Sequence, residues 1–276
     1  MKPIPVMVNG IPGQVALTVA RHVAADPRFA LVPFSLTGPE ITACGQSVAD
    51  ISVHLIRPEQ REAEILAVKE RAGRFLTVDY THPSAVNANA EFYCRHGLPF
   101  VMGTTGGDRR RLEETVRRSA VAAVIAPNMA KQIVGFQAMM AYAADNFPGL
   151  FAGYRLTIRE SHQRGKADTS GTARAMVGYF NRLGVDFTEE QIQMERDPEI
   201  QRRDWGVPEE HLAGHGWHTY TLVSAEGTVR FEFTHNVNGR EIYARGTLDA
   251  LIYLQKKDAA GERGRVFTMI DVLKNT

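Results

Sequence analysis

Residues 4–16 read Ile4-Pro5-Val6-Met7-Val8-Asn9-Gly10-Ile11-Pro12-Gly13-Gln14-Val15-Ala16. A short apolar run, Ile4–Val8, ends in a glycine turn, and a helical pattern over Gln14–Ala25 starts directly behind it. Gly10 permits a tight turn, and Gly13 lets the backbone approach an anion at the helix N-terminus. Ala16 is small enough for the helix to pack closely on the strand. A lone Gly-x-x-Gly turn also suits an ordinary strand–helix connection. Here it is the first turn of an alternating chain, and that position predicts a dinucleotide site.

The alternation continues through the first half. Strands are expected at Ala30–Ser35, Ser52–Leu55, Phe75–Asp79, Phe100–Met102 and Ala122–Ala126, with helices at Glu59–Arg71, Ala85–His96 and Arg109–Ser119. Strands alternating with helices imply a parallel sheet covered on both faces. Gly38–Asp50 is assigned no element. After Met129 a helical stretch runs to about Asn146 and is stopped by Pro148-Gly149. Arg155–Arg159, Thr219–Ser224 and Thr228–Thr234 then alternate polar and apolar, the last two around a turn at Ala225-Glu226-Gly227. Arg196–Ala213 is charged and reads as a loop, while Gly246–Lys257 and Val266–Leu273 return to a helix and a short apolar element. The expected fold class is α/β, a Rossmann-like doubly wound parallel sheet with a second α+β domain built on a largely antiparallel sheet. Residues 1–129 plus 246–276 form the dinucleotide-binding domain and 130–245 the substrate-binding and oligomerisation domain.

With 276 residues the chain has ample core for two modest domains. A formal net charge of +1 argues against nucleic acid or an anionic membrane as partner. No apolar run approaches the roughly 20 residues of a membrane span, and the N-terminal apolar stretch is too short for a signal peptide. Cys44 and Cys94 stand far apart, which suits reduced thiols in the cytoplasm. His211, His215 and His218 cluster, but Gly214 and Gly216 interrupt any helix and no cysteine or paired carboxylate completes a set, so no metal is expected.

The end of the second strand, Phe34-Ser35-Leu36-Thr37-Gly38, offers the hydroxyls of Ser35 and Thr37 and no carboxylate before Glu40. An acidic residue there would repel a 2′-phosphate, so its absence leans towards NADPH, with NADH as the alternative; no arginine sits nearby to clamp the phosphate. Asp79-Tyr80-Thr81 and Gly103-Thr104-Thr105-Gly106 end two further strands, where ligand-facing loops of such a sheet collect. Ala126-Pro127-Asn128-Met129 ends another and reads as a hinge. Lys131, just beyond it, faces either solvent or a carboxylate.

Glu160-Ser161-His162-Gln163-Arg164-Gly165-Lys166 places an imidazole and an ammonium four residues apart, and Ser170-Gly171-Thr172 then opens a helix. Backbone N–H groups at such a helix start attract an anion. The combination suits a small carboxylated substrate that is protonated during reaction.

Together these motifs resemble the dihydrodipicolinate reductase (4-hydroxy-tetrahydrodipicolinate reductase) family of lysine and diaminopimelate biosynthesis. The resemblance spans essentially the whole chain: Val8-Asn9-Gly10 with Gly13, Val78-Asp79-Tyr80-Thr81, Gly103 to Gly106, Glu160-Ser161-His162 with Lys166, Ser170 to Ala173, and Gly216-Trp217-His218. It is nearest the plant-type branch. The common bacterial form has a second histidine where Gln163 stands and a proline before Ser-Gly-Thr. Asp168-Thr169-Ser170 lacks that proline and is one residue shorter.

The resemblance implies that His162 is the proton donor or acceptor and Lys166 a second acid or substrate ligand. Gln163, Ser170, Gly171 and Thr172 would hold a substrate carboxylate. Gly10, Ile11, Pro12, Gly13, Gln14 and Val15 would hold the cofactor, with Asp79, Gly103, Thr104, Thr105, Ala126, Pro127, Asn128 and Met129. It further implies a homotetramer joined through the sheets of the second domain, and a C-terminal segment that returns to the nucleotide domain. Two rivals stand beside it: a reductase of another cyclic imine or amino-dicarboxylate, and a nucleotide-binding regulator without catalysis. A regulator has no need of His162 and Lys166.

Overall fold

The computed structural model describes residues 2–275, which form two compact units: residues up to Val134 with Glu241 onwards, and Gly135–Arg240. In the first unit, six parallel strands follow the spatial order Arg265–Phe267, Ala122–Ile125, Phe100–Met102, Leu76–Asp79, Ile4–Asn9, Phe29–Leu31. All five pairings are parallel. Successive side chains of a strand point to opposite faces, and both faces here are buried, so nearly every strand residue is apolar. Val6 and Val8 enter one core with Val78, Val101 and Val124. Met7, Phe100, Met102 and Ile125 enter the other. Helices Gln14–Ala25, Glu241–Ala259 and Met269–Leu273 cover the first face. Helices Arg61–Ala72, Val86–Arg95 and Arg109–Arg117 cover the second.

One expected strand divides. Ala30–Ser35 becomes Phe29–Leu31, on the edge of the six-stranded sheet, and Phe34–Leu36, in a different sheet. Pro33 separates them, because it has no N–H to extend a ladder. Phe34–Leu36 pairs parallel with Ile51–Ile56, which pairs antiparallel with Gly45–Val48. The stretch near Ser52–Leu55 therefore lies outside the main sheet, and the unassigned Gly38–Asp50 contains a strand.

The second unit is a four-stranded mixed sheet in the order Gln193–Glu195, Arg155–His162, His215–Val223, Arg230–Asn238. The first pair is parallel and the other two are antiparallel. The strict alternation of these strands produces one apolar face. Ile158, Tyr220 and Leu222 pack there against Met140 and Ala144 of helix Lys131–Asn146 and against Met176, Val177 and Phe180 of helix Gly171–Arg182. Arg196–Ala213 is not featureless: it folds into short helical turns at Pro198–Ile200, Gln201–Trp205 and Glu209–His211. No helix among the described residues is long and apolar enough to cross a membrane.

Candidate active site

In the first unit the expected loops converge because four adjacent parallel strands end side by side. Gly10 follows Ile4–Asn9, Tyr80-Thr81 follow Leu76–Asp79, Gly103 to Thr105 follow Phe100–Met102, and Ala126 to Met129 follow Ala122–Ile125. Carboxyl ends at the point where strand order reverses are where such sheets bind ligands. Gly10 has φ 102°, and a Cβ there would overlap the Tyr80 carbonyl oxygen. Helix Gln14–Ala25 begins at Gly13 with no side-chain cap and no acidic residue in its first turn. Its first N–H groups therefore stay open to an anion.

Gly10, Pro12, Gly13 and Thr37 line a cavity of about 700 Å³ with Gly38, Glu40, Arg61, Tyr80 to His82 and Asn89. A dinucleotide fits this arrangement on two counts: uncapped helix amides and a deep cleft beside the strand ends. Other expected residues act from behind. Ser35 is buried, and its Oγ accepts from the Ile11 amide at 3.3 Å, while Thr37 Oγ1 donates to the Ile11 carbonyl at 2.8 Å. Asp79 is fully buried too. Its carboxylate accepts from Thr81 N (3.1 Å), Thr104 Oγ1 (2.5 Å), Asn89 Nδ2 (3.0 Å) and Tyr93 Oη (2.6 Å), fixing two loops at once. Ala126 and Met129 bury their side chains, so only their backbone can face a ligand. Asn128 Oδ1 accepts from Ala130 N at 2.8 Å, and Lys131 pairs with Asp249 at 2.5 Å. The carboxylate expected for Lys131 is thus Asp249.

In the second unit the pairing register builds the site. Ile158 lies opposite Tyr220, Glu160 opposite His218, and His162 opposite Gly216, so Glu160 and His162 extend the apolar face by two steps. A Cβ on Gly216 would lie 2.9 Å from His162 Cε1, so glycine makes room for the ring. His162 Nδ1 lies 3.1 Å from the His215 carbonyl oxygen, which makes Nδ1 the protonated nitrogen of the neutral ring. Nε2 is buried and has no hydrogen-bond partner among the described residues. Burial first, then the charge of His218, pull His162 down to about 4 against the opposing pull of Glu160. The ring is therefore neutral near pH 7.

Glu160 is fully buried. Burial pushes its pKa up, but His218 and Arg196 outweigh that and hold it down to about 2. Arg196 Nη2 donates to Glu160 Oε1 at 2.5 Å, and Ser170 N donates to Oε2 at 3.1 Å. Ser170 caps helix Gly171–Arg182, with Oγ accepting from Ala173 N at 3.1 Å. A Cβ built on Gly171 meets nothing within 4 Å, so open space adjoins the helix start. Lys166 Nζ donates to Asp168 at 2.7 Å. Donor atoms of Glu160, His162 and His218 lie within 4.8 Å of one another, but Arg196 already answers the carboxylate and would repel a cation.

Sequence reasoning did not single out Arg61, Arg196 or Gln201. Gln201 Nε2 donates to the His162 carbonyl at 2.7 Å, and Arg196 Nε donates to the Lys166 carbonyl at 2.8 Å. Both come from the segment read as a loop. A glutamine with no exposed surface inside a charged stretch was its one oddity, and only the fold reveals that burial.

Known proteins share this layout. Residues 4–129 match the family described as dihydrodipicolinate reductase, N-terminus, and residues 133–273 match dihydrodipicolinate reductase, C-terminus. The chain is 48% identical over 277 residues to 4-hydroxy-tetrahydrodipicolinate reductase 1, chloroplastic, of Arabidopsis thaliana, covering 98% of this chain and 78% of that protein. It is 30% identical over 289 residues to the 4-hydroxy-tetrahydrodipicolinate reductase of Thiobacillus denitrificans, covering 97% of each. The fold is similar to that of the dipicolinate-bound dihydrodipicolinate reductase from Paenisporosarcina sp. TG-14, with TM-score 0.64 at 17% identity over 96% of this chain and 97% of that one. With both halves matched in order and the strand-end loops in place, the chain belongs to the dihydrodipicolinate reductase family.

Proposed function

We propose that this enzyme reduces dihydrodipicolinate, in its 4-hydroxy-tetrahydrodipicolinate form, to tetrahydrodipicolinate in lysine and diaminopimelate biosynthesis, with NADPH preferred over NADH. The single observation that carries the reading is His162: one nitrogen is anchored to a carbonyl and the other is unpartnered, in the same sheet whose neighbouring strand holds the capped start of helix Gly171–Arg182. When bound, the nicotinamide supplies a hydride to the unsaturated ring. The first unit holds the nucleotide through Gly10 to Val15, Ser35, Thr37, Asp79, Gly103 to Thr105 and Ala126 to Met129, some by direct contact and others by fixing a loop.

The second unit holds the substrate. Gly171 and Thr172 N–H groups receive one carboxylate, beside the Ser170 hydroxyl, and Gln163 donates to a carboxylate through its amide. Lys166 exchanges the exposed Asp168 for substrate. His162 is neutral before binding, and the arriving carboxylates stabilise its protonated form, which delivers a proton from Nε2 beside the hydride. The 4-hydroxy form first loses its hydroxyl as water, and hydride plus proton then account for the two hydrogens gained by the resulting dihydrodipicolinate ring. A homotetramer joined through the second unit's sheet and a cytoplasmic setting for the two free thiols complete the reading.

A spectrophotometric assay of NADPH oxidation with enzymatically generated dihydrodipicolinate tests it. Turnover is expected with this substrate. Turnover confined to other cyclic imines, or cofactor binding without turnover, would replace it with one of the two rivals.

A further inference from the structure

The adenosine end of the cavity contains a cation that the strand-end sequence does not announce. Arg61 opens helix Arg61–Ala72, yet it lines the same cavity as Thr37, Gly38 and Glu40. Its guanidinium lies 4.9 Å over the Phe92 ring, and Nη1 donates to Asn89 Oδ1 at 3.2 Å. Phe92 has no exposed surface and Asn89 has 5%, so the fork rests on a rigid floor. Among the described residues, no carboxylate pairs with Arg61. A half-buried arginine held in place without a counter-ion, with donors left over, is prepared for a phosphate.

Facing it is an opposing charge. A Cβ on Gly38 would overlap the Glu40 carboxylate, so Glu40 folds back over the end of strand Phe34–Leu36. A carboxylate at that strand end favours a free ribose hydroxyl. Glu40 is exposed and therefore screened by solvent, whereas Arg61 is half-buried. The cation should dominate.

We infer that Arg61 is the residue that reads the 2′-phosphate of NADPH, and that Glu40 weakens this selection. The inference rests on the cavity holding the adenosine half of the cofactor. Calorimetric titration of the whole protein with 2′,5′-ADP and with 5′-AMP separates the two ideas. Arg61→Gln removes the guanidinium that lies over Phe92, and with it the positive charge, while leaving a polar side chain at the helix start. It should weaken 2′,5′-ADP roughly 10- to 100-fold and leave 5′-AMP within about twofold. Glu40→Gln should tighten 2′,5′-ADP by roughly two- to fivefold at low salt, and the gain should vanish at high salt.

An unchanged 2′,5′-ADP affinity in Arg61→Gln overturns the inference. So does an equal loss for both ligands, which would make Arg61 a support for the adenine ring. If the unaltered protein binds neither ligand, the cavity is not the adenosine site and the underlying reading falls first.

Discussion

Glu160 and His218 face each other across directly paired strands, with Glu160 Oε2 3.6 Å from His218 Nε2. The carboxylate also takes Arg196 and the Ser170 amide, so one buried group ties the His162 strand to the helix start and to the segment after Glu195. His218 Nε2 is 2.8 Å from Ser170 Oγ, which already accepts from Ala173 N. If His218 donates there, the serine's own proton is left for a substrate carboxylate.

Glu160→Gln keeps the volume and removes the charge, leaving the Arg196 guanidinium without its counter-ion. Breaking a buried pair from one side costs about 3–5 kcal/mol. The low end applies, because 18% of the Arg196 side chain is exposed. Urea denaturation should register a loss of about 3 kcal/mol. A loss below roughly 1 kcal/mol would mean the pair is solvated like a surface one.

His162→Ala should lower kcat by about 10²–10⁴-fold, with NADPH affinity nearly unchanged. A variant with near-full kcat removes His162 from the chemistry. The proton on His162 has a thermodynamic signature as well. If substrate carboxylates raise its pKa from about 4, binding pyridine-2,6-dicarboxylate between pH 5 and 6 must take up protons. Calorimetry in buffers of different ionisation enthalpy measures that uptake, and His162→Gln should abolish it. Binding enthalpy independent of buffer in the unaltered protein would sink the idea.

Gly171→Val adds a branched Cβ where the structure leaves open space. The fold should tolerate it, while the substrate carboxylate loses its place. KM should rise sharply, and pyridine-2,6-dicarboxylate should bind more weakly, with the thermal midpoint little changed. Equal inhibitor affinity in both proteins would put the carboxylate elsewhere.

Acid should destabilise the second unit. Burial holds His235 down to about 3 and His162 to about 4, both from an ordinary 6.5. As pH falls below 6.5, the unfolded chain binds these protons before the folded one does. The stability associated with neutral burial is thus complete above about 6.5 and disappears as pH approaches 4 and then 3. Glu160, lowered from 4.5 to about 2, adds loss in the same direction over the lower part of that window. The thermal midpoint should fall from pH 6.5 to 4, and His235→Phe should flatten the slope. An identical slope in that variant would exclude His235 as a contributor.

The parallel sheet was legible because its strands are buried on both faces and punctuated by glycine and proline. Gln14–Ala25 and Phe100–Met102 fall on the expected residues. Gly45–Val48 was hidden because its hairpin turns through Ala49 at φ 50°, a residue with no turn signature. Site residues contiguous in sequence, such as His162 with Lys166, could be read locally. Arg61 could not, since its approach to Thr37 depends on how helix Arg61–Ala72 lies against the small three-stranded sheet. Glu40 sat in plain sight but was read as beyond the strand end, because sequence cannot show a side chain folding backwards.

Helix Glu241–Ala259 covers one face of the six-stranded sheet, yet it lies beyond the whole second unit along the chain. On the ribosome, the strands from Ile4 to Ile125 emerge before the helix that shields them. At about 5–20 residues per second, roughly a hundred intervening residues mean a delay of about 5–20 s. During that interval Val101 and Val124 lack the helix that packs against their strands. Synthesis speed through residues 135–240, and chaperone occupancy at that stage, would then govern the yield of native protein. Codon choice there becomes a determinant of solubility.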